Sequence, residues 1–104
     1  MHVISKRPFN AAARAHPNHR QALEDLYRVL RKSRFGSPDE MRRVFPSLDN
    51  FRYRDKWWVI DLAGNHLRVI AFIQFRQNRM YVKHILTHAE YDKLCSRYAR
   101  GELK

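Results

Sequence analysis

Three strand-like stretches follow one another with almost nothing between them: KWWVIDL (56–62), HLRVIAFIQF (66–75) and MYVKHIL (80–86). They are joined by Gly64-Asn65 and by Gln77-Asn78, both short enough for hairpins, with Gly-Asn the stronger turn signal. A two-residue turn at Gly64-Asn65 sets Asp61 opposite Arg68, Val59 opposite Ile70 and Trp57 opposite Phe72. The other face then holds Trp58, Ile60, Leu62, Leu67, Val69, Ala71 and Ile73, all apolar. Side chains alternate across a sheet, so that apolar face packs on helices and Arg68 points to the open one. A two-residue turn at Gln77-Asn78 adds Tyr81, Lys83 and Ile85 to the open face and sends Val82 and Leu86 to the core, with His84 between them. A three-residue turn would drive Lys83 into the core, which costs far more than burying a neutral histidine.

The rest of the chain supplies the helices. HVIS (2–5) reads as a short strand, and Pro8 suits the first turn of a helix continued by NAAARA (10–15). After Pro17, Leu23, Leu26, Tyr27 and Leu30 fall at helical spacing, with Arg20, Glu24, Arg28, Arg31 and Lys32 on the wet side. SPDE (37–40) is a capping-box pattern that opens a brief helical turn, closed by Pro46. Thr87 and Glu90 form a second capping box, so the last helix begins at His88. The expectation is an α+β fold of order β-α-α-β-β-β-α, one domain over 1–104, its mainly antiparallel sheet carrying helices on one face.

Charge narrows the partners. Twenty-one Lys and Arg face ten Asp and Glu, a formal net charge of +11. Residues 1–20 contain Lys6, Arg7, Arg14 and Arg20 and no acid. Such a field attracts polyanions, chiefly nucleic acid or an acidic protein. Most of the cations are Arg, whose planar fork grips phosphate and stacks on bases. The basic residues are spread along the chain without a strongly apolar helix face, which argues against a membrane surface. Cys95 is the sole cysteine, so no internal disulfide can form. Without a membrane-spanning run or a signal peptide, a cytoplasmic location is expected.

The strand–helix join gathers proton-moving and phosphate-binding groups. His88 and Tyr91 stand in the first turns of the last helix, and Arg68 lies at the end of its strand beside Thr87. Lys83 sits further along the open face. A helix N-terminus adds free N–H groups and partial positive charge. RNA cleavage without a metal needs a base for the 2′-hydroxyl proton, cations for charge developing on phosphorus and an acid for the leaving 5′-oxygen. His, Arg, Lys and Tyr are suitable types. The open-face carboxylates of a two-metal nuclease are missing, and His84-x-x-x-His88 would pair on a metal only within a helix, so no metal or other cofactor is expected.

Each residue has a plainer role available. Arg68 can pair across strands with Asp61, and His88 can be a polar residue of a capped turn. Tyr91 can bury its ring while exposing its hydroxyl, and Cys95 can be a small packed residue. The rival from another class is a basic RNA-binding module without chemistry of its own.

VFPSLDNFRYRDKWWVIDLAGNHLRVIAF followed by THAEYD resembles the HigB branch of the RelE-like bacterial toxins, and the similarity covers nearly the whole chain. VFPSLDNF, GNHLRV and THAEYD are together quite specific. The resemblance implies the toxin of a type II toxin–antitoxin system: a ribosome-dependent mRNA endonuclease, neutralised by a HigA-type helix-turn-helix antitoxin. Operator DNA would be met only through the antitoxin complex. It further implies that Arg68 binds the scissile phosphate and that His88 and Tyr91 form the catalytic end. Lys83, from its place on the open face, is expected to add charge stabilisation to catalysis. Asp92 matches an acidic position near the site. Lys56, flanked by Arg54 and Trp57, matches a position that holds RNA.

Overall fold

The computed structural model of the chain describes residues 1–64 and 66–103. Asn65, half of the first expected turn, lies outside the described residues, yet the strands beside it pair as that turn requires. Leu62 faces Leu67, Asp61 faces Arg68, Val59 faces Ile70 and Trp57 faces Phe72.

The elements are β1 (His2–Val3), α1 (Arg7–Ala15), a 3₁₀ turn (Pro17–His19), α2 (Arg20–Lys32), α3 (Pro38–Val44), β2 (Asp49–Asn50), β3 (Trp57–Leu62), β4 (Leu67–Gln74), β5 (Arg79–Thr87) and α4 (His88–Ala99). The expected order is present, with α3 longer than one turn and a short β2 added. The strands lie in the order β1-β5-β4-β3-β2; β1 runs parallel to β5 and the other pairings are antiparallel. Pro8 sits in the first turn of α1. Ser37 caps α3 by accepting from the Glu40 N–H at 3.3 Å.

Ile60, Leu67, Val69, Ala71 and Ile73 pack on Phe9 of α1 and on Leu23, Leu26 and Leu30 of α2. Leu30, Leu67 and Val69 are 0% exposed, and each such side chain contributes about 1.5–3 kcal/mol by leaving water. This is the core expected from the alternation.

Two features differ from the expectation. The β4–β5 loop spans residues 75–78, because Gln74 faces Arg79, and a bulge follows: Ala71 faces Val82 but Ile70 faces His84. Lys83 is the extra residue, and a bulge of one residue reverses the side-chain alternation beyond it. Ile85 therefore turns to the α1–α2 core, while Leu86 packs with Ile70 on the second face. Lys83 itself stays exposed.

The second difference concerns α4. α1 and α2 cover the first face, but α4 lies across the middle of the second. Its Tyr91, Leu94, Cys95 and Tyr98 pack on Phe51, Val59 and Ile70, a second core. The face expected to be open is therefore open only at its two ends.

Candidate active site at the β5–α4 join

α4 follows β5 without a linker, and its cap fixes the direction in which it leaves. The Glu90 N–H donates to Thr87 Oγ1 at 3.2 Å, and the Thr87 N–H donates to Glu90 Oε1 at 2.9 Å. Both parts of the expected capping box are made. These bonds hold the Glu90 carboxyl below its usual range. Tyr91 comes one residue later and is thereby aimed back over the sheet.

Under it lies Arg68. Its guanidinium carbon is 4.5 Å from the centre of the Tyr91 ring, close enough for a substantial cation–π attraction. From the neighbouring strand, Asp61 Oδ1 approaches Arg68 Nε at 3.3 Å, with the two side chains 29% and 22% exposed. That approach is an ion pair lacking hydrogen-bond alignment, because Arg68 Nε is buried without a hydrogen-bond partner among the described residues. Arg68 is thus held by a carboxylate and by a ring at once. The cross-strand pair and the proximity to the helix start, both expected, coexist.

Burial and a hydrogen bond to Cys95 push the Tyr91 hydroxyl up to about 12, against an opposing pull from Arg68. At neutral pH it keeps its proton, so Tyr91 is a donor and not a base. His88 stands one helical turn earlier, and its Nδ1 lies 3.1 Å from Asp92 Oδ2. Both side chains are more than half exposed. An aspartate at Nδ1 favours the tautomer whose Nε2 is free to take a proton.

The remaining expected residues gather at the other end of the face. Lys83 Nζ lies 5.8 Å from the Trp57 ring and 5.9 Å from the Tyr81 ring. The Arg54 guanidinium is 5.7 Å from Trp57 and 5.4 Å from Tyr98. Lys56, in a left-handed conformation with φ 61°, accepts from the Ile73 N–H at 3.2 Å through its carbonyl. It borders a cleft of about 810 Å³ between residues 50–58 and 72–77. Trp57 and Phe72 lie four residues along their strands from Asp61 and Arg68, roughly 13 Å at the usual rise of a strand. The structure therefore joins Arg68 to Tyr91 and His88 to Asp92, but groups Lys83, Arg54, Trp57 and Lys56 elsewhere.

Two residues outside the expected site set, His84 and Tyr98, also meet its rings. The bulge brings His84 to the second face, 6.4 Å from Trp57 between ring centres. Tyr98 stacks on Tyr53 at 5.7 Å and meets Phe51 at 5.4 Å; its position seven residues after Tyr91 was the available signal. Burial, helped by the charge of Lys83, holds the His84 imidazole below its usual 6.5. The unfolded chain then binds a proton near pH 6.5 that the folded chain takes up only at lower pH. Below that point the unfolded state carries more protons, so acidification destabilises the fold. The melting temperature is expected to fall as pH drops from 7 toward 5, and His84→Gln to flatten that slope in a thermal-melt series.

Among the described residues no helix is long and apolar enough to cross a membrane. The fold is RelE-like, a basic α+β domain with an arginine–tyrosine pair where the last strand becomes the last helix. Residues 19–94 match the family described as HigB_toxin, RelE-like toxic component of a toxin–antitoxin system. The chain is 58% identical over 100 residues to an mRNA interferase HigB of an Escherichia coli strain, covering 96% of each chain. It is 40% identical over 92 residues to an mRNA interferase HigB of Shigella flexneri, covering 88% of each. This chain belongs to the HigB toxin family, and as the toxic component of such a system it has an antitoxin as its partner.

Proposed function

We propose that the chain is an endoribonuclease that cuts mRNA on the ribosome without a metal and so stops translation. The mRNA interferase names of its relatives support the substrate. The observation that carries the chemistry is the Arg68 guanidinium seated on the Tyr91 ring at 4.5 Å, beside the start of α4. In this reading the RNA's 2′-hydroxyl oxygen bonds to the adjacent phosphorus while the bond to the 5′-oxygen breaks. His88 takes the hydroxyl proton, with Asp92 on its far nitrogen. Arg68 neutralises the charge that grows on the phosphoryl oxygens. Tyr91, still protonated, donates to the departing 5′-oxygen. The products are a 2′,3′-cyclic phosphate and a 5′-hydroxyl. Lys83, Lys56, Arg54 and Trp57 hold flanking RNA.

The partner is a HigA-type helix-turn-helix antitoxin, with operator DNA reached only through the complex. The site of action is the ribosome-bearing cytoplasm.

Purified protein added to translating ribosomes with a defined mRNA tests this. Cutting with a cyclic-phosphate end supports it. A 3′-hydroxyl end would point to a metal nuclease, and binding without cutting to a passive RNA-binding module. His88→Ala should slow single-turnover cutting by about 10²- to 10⁴-fold, the range of a general base. Asp92→Asn should slow it less, because the imidazole remains but loses its orienting carboxylate. Equal rates for His88→Ala and the unaltered chain would remove His88 from the mechanism.

A further inference from the structure

The cleft between residues 50–58 and 72–77 lies away from the Arg68–Tyr91 pair, across the buried middle formed by Val59 and Ile70. At about 810 Å³ it is the size of a small-ligand site. Its charged lining is Arg52, Arg54, Lys56 and Arg76 against Asp55 alone. Arg54 is held between two rings, and its buried Nε has no hydrogen-bond partner among the described residues.

The cleft is entered from a row of rings. Trp57, Phe72 and Tyr81 occupy directly paired positions on β3, β4 and β5 and so stand side by side on the second face. All three are partly exposed. The Phe72 and Tyr81 rings are 5.7 Å apart, and Lys83 reaches toward both Tyr81 and Trp57. Rings on adjacent strands with cations above them are the usual means of stacking unpaired bases while holding their phosphates. Gln74 and Gln77 on the cleft wall offer amides to base edges.

We propose that the Trp57–Phe72–Tyr81 row and its cleft form a second RNA subsite, binding bases of a single strand away from the cleaved bond and setting the sequence preference of cutting. This rests on the reading that the chain acts on mRNA. A duplex would not fit, because its bases are stacked on one another and unavailable to the rings.

Both tryptophans of the chain line this cleft, so intrinsic fluorescence reports on it directly. A short single-stranded oligoribonucleotide should quench that fluorescence, and an abasic strand of equal length should do so far less. Tyr81→Ala and Arg76→Ala should each weaken quenching by about tenfold, and Tyr81→Phe should restore it because the ring is what matters. Arg28→Ala on α2 removes the same charge elsewhere and should change nothing. On ribosomes, Tyr81→Ala should redistribute the cut sites and raise KM more than it lowers kcat. Equal quenching by the abasic strand, or unaltered quenching in Tyr81→Ala and Arg76→Ala, overturns the proposal. So does quenching by the antitoxin with none by RNA. Loss of cutting in the unaltered protein would sink the nuclease reading, while the fluorescence titration would still decide the subsite.

Discussion

Arg68→Ala is expected to slow mRNA cutting by roughly two to three orders of magnitude, as removal of one preorganised donor to a developing oxyanion does elsewhere. Ribosome affinity should hold within a few-fold, since 20 of the chain's 21 Lys and Arg remain. The size of the effect depends on how Arg68 is held. Asp61 and the Tyr91 ring fix it from two directions, so its charge is in place before the phosphate arrives. Arg68→Lys keeps the charge but loses the planar fork and the stacking on Tyr91, and should recover only a small part of the rate. Removing Arg68 also leaves Asp61 without its cation. A thermal melt must therefore accompany the kinetics: a loss of rate at temperatures where the variant is folded belongs to the chemistry. Full activity in Arg68→Ala would require a different phosphate ligand.

The parts of this arrangement legible in the sequence are those set by local rules. The Gly-Asn joint fixed the β3–β4 register, and with it the Asp61–Arg68 pair. The Thr87–Glu90 box located the start of α4 to the residue. Together they put Arg68 beside Tyr91 at the start of α4. A bulge beyond the Gln77-Asn78 turn was an open alternative, but its position at Lys83 was not legible, because it depends on how two strands share their ladder and leaves no compositional mark. Its effect was to exchange the faces of Ile85 and Leu86 and to bring His84 to Trp57. The path of α4 was half legible. Tyr91, Leu94 and Tyr98 stand at helical spacing on one side of α4, and Val59 and Ile70 are apolar positions on the face that carries Arg68. Read jointly, those five residues say that the face is covered in the middle.

That covering makes Phe51 the residue on which the site's geometry depends, and Phe51→Ala should show it. Phe51 is 2% exposed and lies within 6.3 Å, centre to centre, of the rings of Tyr53, Trp57, Tyr91 and Tyr98. Truncation leaves a cavity between the sheet and α4 and is expected to cost about 3–5 kcal/mol. A domain of this size has on the order of 5–15 kcal/mol in all, so the melting temperature should drop by well over ~10 °C. Leu30→Ala is the matched comparison. Leu30 is 0% exposed on α2, against the opposite face, and its loss costs about 2–5 kcal/mol without touching α4. At a temperature where both variants are folded, Leu30→Ala should retain cutting. Phe51→Ala should lose it, because Tyr91 no longer has a wall to hold its ring over Arg68. Hydrogen exchange should follow the same division, with α4 amides losing protection in Phe51→Ala and keeping it in Leu30→Ala. Equal loss of cutting in the two variants would mean that general stability, and not the seating of α4, governs the site.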